Sequence, residues 1–171
     1  PKIEPQVQVD RLHSLEREVR CTMAPVNHAS TWGQRRGTIR TRPHERILAS
    51  YPNCHVRVLF LPTQRALESR GGTCTVSSQR LVFTSNQASE ELDTLSVPLE
   101  TMSVGKYMLP IFCAPYWQAT MTHFTDGTSD HGQVIVRFPS GGGMSFQQTI
   151  RAAQAQWDVE RHHEDILRTY Q

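Results

Sequence analysis

The residues in this chain best suited to chemistry are His123, Asp126, Asp130 and His131, four imidazole and carboxylate side chains within nine residues. Such a group could bind a divalent metal or pass protons between an acid and a base. The same stretch contains Asp126-Gly127 and His131-Gly132, which is ordinary turn composition, and a loop is the reading adopted. His162-His163-Glu164 lacks the HExxH spacing that sets two imidazoles on one helical face. The glycines at 141–143 are not followed by Lys-Ser or Lys-Thr, so they form no phosphate loop, and no Ser or Cys stands in a Gly-x-Ser-x-Gly elbow. The expectation is a protein without catalytic residues, metal ligands or a cofactor.

Chemistry of recognition is better represented. Of the 18 basic residues only Lys2 and Lys106 are lysine, so the positive surface is almost all arginine, which suits bidentate and stacked contacts. Arg35, Arg36, Arg40 and Arg42 place four charges in eight residues, and Trp32 and Ile39 add apolar surface beside them. These residues are the candidate protein-binding arm. Arg57, Arg65 and Arg70 are the candidates for an alternative role, contact with phosphoinositide or other anionic lipid. The formal charge of +2 does not by itself imply a nucleic-acid binder, which needs clustered positive charge, and no clear nucleic-acid site is read.

The elements that must position these groups are mainly β. Segments 47–51, 55–61, 72–77 and 80–85 are rich in branched and aromatic residues, with Pro52-Asn53, Gly71-Gly72 and Ser77-Ser78 as punctuation. In the second of them Val56, Val58 and Phe60 alternate with His55, Arg57 and Leu59, which predicts one dry face. Further strands are expected at 94–99, 101–108, 117–124 and 133–138. Seven or eight short strands at this spacing make a sandwich or small barrel.

Near the end the period changes. Phe146, Ile150, Ala153 and Trp157 recur at helical spacing, with Ser145 as the expected cap and Gln148 completing a capping box. The polar run 160–165 and the pair Ile166-Leu167 extend this helix beyond the part that covers the sheet. Upstream, Asp10 is expected to cap a short helix carrying Leu12, Leu15 and Val19, with a Glu16–Arg20 pair, stopped by Pro25. The globular domain is expected to begin near Arg46.

Cys21, Cys54, Cys74 and Cys113 are far apart with no CxxC pair, which fits reduced thiols inside the cell. No window approaches the ~18 apolar residues of a membrane span, and residues 1–10 lack a signal-peptide core. A cytoplasmic protein is expected, with cytoskeletal, ciliary and membrane-peripheral settings all compatible.

The stretch Gly72-Thr73-Cys74-Thr75-Val76-Ser77-Ser78-Gln79-Arg80-Leu81-Val82-Phe83-Thr84-Ser85 resembles the GRAM-domain signature. Leu109-Pro110-Ile111-Phe112-Cys113-Ala114-Pro115-Tyr116-Trp117-Gln118-Ala119-Thr120 is similar to a block of the WW-domain-binding protein 2 family. Residues 47–51 and the glycine turn before Phe146 fit in order, so the resemblance spans residues 47–156, about two-thirds of the chain. It implies a pleckstrin-homology-like β-sandwich or barrel of about seven strands closed by a C-terminal helix, used to bind proteins or phosphoinositides. Arg80, Pro110, Phe112 and Tyr116 are its fold-motif residues here. Arg80 is read as a fork tying a turn to nearby acceptors rather than as a phosphate ligand, and Phe112, Tyr116 and Trp117 as core. Cys113, Pro115 and Ala119 stand where the family has Gly, Asn and Gly. No Pro-Pro-x-Tyr occurs in the 171 residues, so a WW-domain partner is not carried over.

The expected organisation is an N-terminal arm with a short helix and an arginine-rich linker (1–45), a GRAM or pleckstrin-homology-like domain (46–157) and a helical extension (158–171). The expected function is that of a structural or adaptor subunit whose domain and arms bind neighbouring proteins. Peripheral lipid binding is the alternative.

Overall fold

The computed structural model describes residues 39–61, 63–87, 91–125 and 128–169. The short helix expected after Asp10 and the candidates Trp32, Arg35 and Arg36 lie outside them. The strands are β1 (Ile47–Leu61), β2 (Arg65–Ser77), β3 (Arg80–Ser85), β4 (Thr94–Pro98), β5 (Lys106–Met108), β6 (Tyr116–Thr125) and β7 (Thr128–Arg137). A 3-10 turn, Leu99–Thr101, follows β4, and helix α1 (Gly143–Thr169) is the last described element.

All strand pairs are antiparallel, in the order β4-β3-β2-β1-β7-β6-β5. β1 holds the two meanders together because its second half, from His55 on, is shared between β2 and β7. Along that half the expected alternation appears: Val56 and Val58 are buried, whereas Arg57 is exposed. The inner face continues through Cys74, Val76, Phe83, Leu95, Trp117 and Val136 into one core, which α1 covers.

Several boundaries differ from the sequence reading, each for a local reason. Pro52-Asn53 is a bulge inside β1 and not a turn between two strands. The register slips between Tyr51 and Cys54 and again before Val56, and Asn53 takes the left-handed region at φ 57. Proline is tolerated there because this half of β1 pairs only with β2, leaving its other edge unladdered. Gly71-Gly72 likewise lies within β2. A Cβ on Gly72 would collide with the Phe83 ring and the Thr84 carbonyl, so glycine allows the close crossing of β2 and β3. The expected strand over 101–108 shrinks to Lys106–Met108. Upstream of it Met102 makes only an isolated bridge to Met121, and Gly105 leaves room for the Trp117 indole.

Helix α1 begins two residues before Ser145, so the expected serine cap does not form. The chain reverses instead through Gly141 and Gly142 at φ 85 and 92, and the Phe146 N–H donates to the Gly142 carbonyl at 2.9 Å. Ser145 Oγ lies 3.3 Å from the Tyr51 hydroxyl. Two glutamines one heptad apart dock the helix on the segment that the shortened β5 leaves unladdered. Gln147 Nε2 donates to the Gly105 carbonyl at 3.2 Å, and Gln154 Nε2 to those of Met102 and Ser103 at 3.1 and 3.3 Å.

Candidate functional site

Arg80 follows the Ser77-Ser78-Gln79 turn between β2 and β3, and its position is set by that turn. Ser77 Oγ accepts the Arg80 and Gln79 N–H groups at 3.0 and 3.2 Å, an ST-turn that fixes the start of β3. The guanidinium then reaches the segment ahead of β1. Its Nε and Nη2 grip Glu45 Oε1 and Oε2 at 2.8 and 3.0 Å, a bidentate pair. Nη1 donates to Ser96 Oγ on β4 at 3.1 Å, and Nη2 also donates to the Arg40 carbonyl at 2.7 Å.

Glu45 receives two more hydrogen bonds, from Ser77 Oγ and from the Arg42 N–H, both at 2.6 Å. Its side chain is 0% exposed and that of Arg80 4%. Burial pushes the Glu45 carboxyl up, but the hydrogen bonds from Arg80, Ser77 and Arg42, with the Arg80 charge, outweigh it and hold the carboxyl below its ordinary value. Four of the five guanidinium donors are thus engaged within the chain. Arg80 is a tie between three sequence-distant segments and offers no open face to a phosphate.

The arginine candidates are not brought together. Arg40 and Arg42 have exposed side chains on a segment whose backbone is hydrogen-bonded to Arg80 and Glu45. Arg57 and Arg70 lie on the outer face of β1 and β2 on either side of Glu68, which is register-paired with Arg57 and 3.8 Å from Arg70 Nε. Arg65 has the opposite strand parity, paired with Phe60 at the far end of β2. The trio therefore has no common pocket.

The candidate metal group falls on the β6–β7 hairpin. His123 and Asp130 are register partners across the β6–β7 hairpin, and His131 is exposed on β7 opposite Thr122, so the expected loop is largely strand. Asp126 lies outside the described residues. Among the described residues no three His, Cys, Asp or Glu could share a metal ion.

The fold-motif aromatics divide. Trp117 is fully buried and Tyr116 half-buried, but Phe112 is 95% exposed and Ile111 90%, which corrects the core placement expected for Phe112. They sit on the loop 109–115 between β5 and β6, with half-buried Pro110 near its start and Leu109 exposed beside it. The signal was present as Pro110 and Pro115 bracketing an apolar run with no alternation. A second exposed feature is the distal part of α1. Beyond Trp157, Val159, Ile166 and Leu167 face solvent.

With the geometry in view, similar solved structures decide the architecture. The N-terminal pleckstrin-homology domain of Vps36 superposes with a TM-score of 0.52 at 16% identity, covering 76% of this chain and 90% of that one. The fold is pleckstrin-homology-like. A chain of the 8S snRNP assembly intermediate superposes similarly, with a TM-score of 0.51, 12% identity, and 78% and 93% coverage. No protein-family model matches the chain, and no curated protein does. The GRAM resemblance stands on its motif residues alone, while the pleckstrin-homology-like block is common ground. Among the described residues no helix is long and apolar enough to cross a membrane.

Proposed function

We propose that this chain is a non-catalytic adaptor, a GRAM-type block with arms that bind neighbouring proteins in a larger assembly. The observation that carries this reading is the distal half of α1. The helix continues for three turns after its last core contact at Trp157, and its apolar residues Val159, Ile166 and Leu167 stay exposed there. Val159 and Ile166 stand seven residues apart on one side of the helix with Leu167 beside them, an exposed apolar stripe on an otherwise polar surface. Polar partners such as Gln156 and Glu160, hydrogen-bonded at 2.7 Å, keep the remaining surface wettable. The preferred occupant is therefore a helix of a neighbouring protein.

The arginine-rich arm, with Trp32, Arg35, Arg36, Arg40 and Arg42, is the second contact in this proposal. The Arg80–Glu45 tie supports it by fixing where that arm leaves the block. Such an adaptor works in the cytoplasm, including at cytoskeletal, ciliary or membrane-peripheral assemblies.

Aspartate at both Val159 and Ile166 in the full chain tests the helical contact. Partner recovered by affinity purification should fall at least about tenfold, because two charges would be buried unpaired in an apolar seam. The melting temperature should fall by no more than about 4 °C, since both residues are solvent-facing and two surface changes cost at most about 1 kcal/mol. Undiminished recovery of the same partners would refute the helix as the contact.

A further inference from the structure

We propose that Cys54 and Cys74 are a peroxide-responsive thiol pair, closing to a reversible disulfide across β1 and β2 that loosens the docking of α1. Both thiols are free and fully buried in the core. Register sets Cys74 opposite Tyr51, and Cys54 follows Tyr51 by three residues, around the Pro52-Asn53 bulge. Cys54 Sγ donates to the Tyr51 carbonyl at 3.2 Å, so the bulge folds this thiol back toward the residue that faces Cys74. Two thiols brought together on adjacent strands are suited to sulfenic-acid chemistry, in which the second resolves the oxidised first. Pro52 and Asn53 are exposed, and this half of β1 pairs only with β2. A small oxidant therefore needs only a local opening of the bulge to reach Cys54.

The two sulfurs are not equivalent. Hydrogen bonds from the Cys74 thiol and backbone hold the Cys54 thiol below its ordinary value, against the burial that would raise it. Burial, followed by the hydrogen bond to Cys54 and its charge, pushes the Cys74 thiol well up. Cys54 is thus the attacking thiolate and Cys74 the resolving thiol. The Cys54 sulfur attacks one oxygen of hydrogen peroxide and the O–O bond breaks. The departing hydroxide takes up the proton that Cys54 released and leaves as water. The Cys74 sulfur then attacks the Cys54 sulfenic acid, forming the S–S bond as the S–O bond breaks. The hydroxyl leaves with the Cys74 proton as a second water, and the two thiols have given two electrons to the peroxide.

Tyr51 carries the change to the helix. Its ring meets Phe146 edge-on at 5.3 Å, and its hydroxyl lies 2.8 Å from Thr149 Oγ1 and 3.3 Å from Ser145 Oγ on α1. Cys54 is register-paired with Gly72, so Cys74 is its diagonal neighbour. Diagonal neighbours stand about 7–8 Å apart in a regular ladder, beyond the Cα separation that a disulfide spans without strain. Closing the bridge must therefore draw in the bulge, with Tyr51 at its edge, and a bridge closed under strain is readily reduced. The device lies in the core and does not rest on what the distal helix or the arm binds.

The test uses the full chain with Cys21→Ser and Cys113→Ser, leaving only this pair. Hydrogen peroxide should lower the mass by that of two hydrogens and yield a proteolytic peptide joining Cys54 to Cys74. It should also speed amide exchange over residues 143–150 at least about threefold, and dithiothreitol should reverse all three changes. With Cys74→Ser added, dimedone should trap a sulfenic acid at Cys54, whereas with Cys54→Ala added Cys74 should stay unlabelled. Should either variant fail to fold, the joined peptide and the exchange of the intact pair decide alone. No joined peptide from the folded chain, equal trapping at the two cysteines, or a disulfide that leaves exchange over 143–150 unchanged would overturn the proposal.

Discussion

Replacing Glu45 with Ala should destabilise the fold by about 3–5 kcal/mol, read as a lower urea midpoint at unchanged slope. The cost follows from what is left behind. Arg80 would stay 4% exposed with Nε stripped of its acceptor and Nη2 left only the Arg40 carbonyl, an uncompensated buried charge. Ser77 Oγ and the Arg42 N–H would lose an acceptor as well. Removing both charges together, Glu45→Leu with Arg80→Met, should recover much of the loss, because no buried ion is then unpaired.

The pair also has a pH signature. The Glu45 carboxyl titrates below its ordinary value in the folded state, so its contribution is fully present above the unfolded value of about 4.3. It is lost as pH falls through the lower, folded value. The stability gap between wild type and Glu45→Ala should therefore narrow steadily in acid, while staying constant from about pH 5 to 7. A gap independent of pH down to strong acid would show that Glu45 acts through packing alone.

The second large effect belongs to Phe146. Its ring lies 5.3, 5.2 and 5.1 Å from those of Tyr51, Trp117 and Phe138, so it is the point where α1 enters the core. Phe146→Ala should cost about 3–5 kcal/mol, combining lost apolar burial, an aromatic-lined cavity and three ring contacts. Because the glutamine contacts of Gln147 and Gln154 are modest by comparison, the helix should loosen before the sheet does. Hydrogen exchange would then show 143–157 losing protection ahead of β1 and β7. A loss under about 1 kcal/mol would mean the site collapses around the gap.

The sequence carried the parts of this fold that local pattern controls. Val56, Val58 and their exposed neighbours declare a half-buried strand, and Phe146, Ile150 and Ala153 declare a helix with one buried face. What it hid depends on contacts far along the chain. Pro52-Asn53 has turn composition, and only its pairing with β2 makes it a bulge. Gly72 reads as punctuation until Phe83 crosses it. The partner of Arg80 lies 35 residues upstream in a segment that composition assigned to a linker, and no periodicity links the two. The candidate surfaces were legible unevenly for the same reason. The end of α1 shows its apolar pair openly, whereas Phe112 resembles a core aromatic in sequence and differs only because its proline-bracketed loop leaves the sheet. Arg57, Arg65 and Arg70 are lipid candidates in sequence, yet strand parity turns Arg65 to the other face and Glu68 lies between the remaining two.

The adaptor reading is tested most directly by photo-crosslinking inside the cell. A photoreactive amino acid in place of Val159, and separately in place of exposed Glu100 as a control, reports what touches each position in the full chain. The adaptor predicts a discrete, reproducible protein adduct from position 159 that is weak or absent from position 100. Equal, diffuse labelling from both positions, or no protein adduct from 159 while the chain still migrates in a large complex, would contradict it.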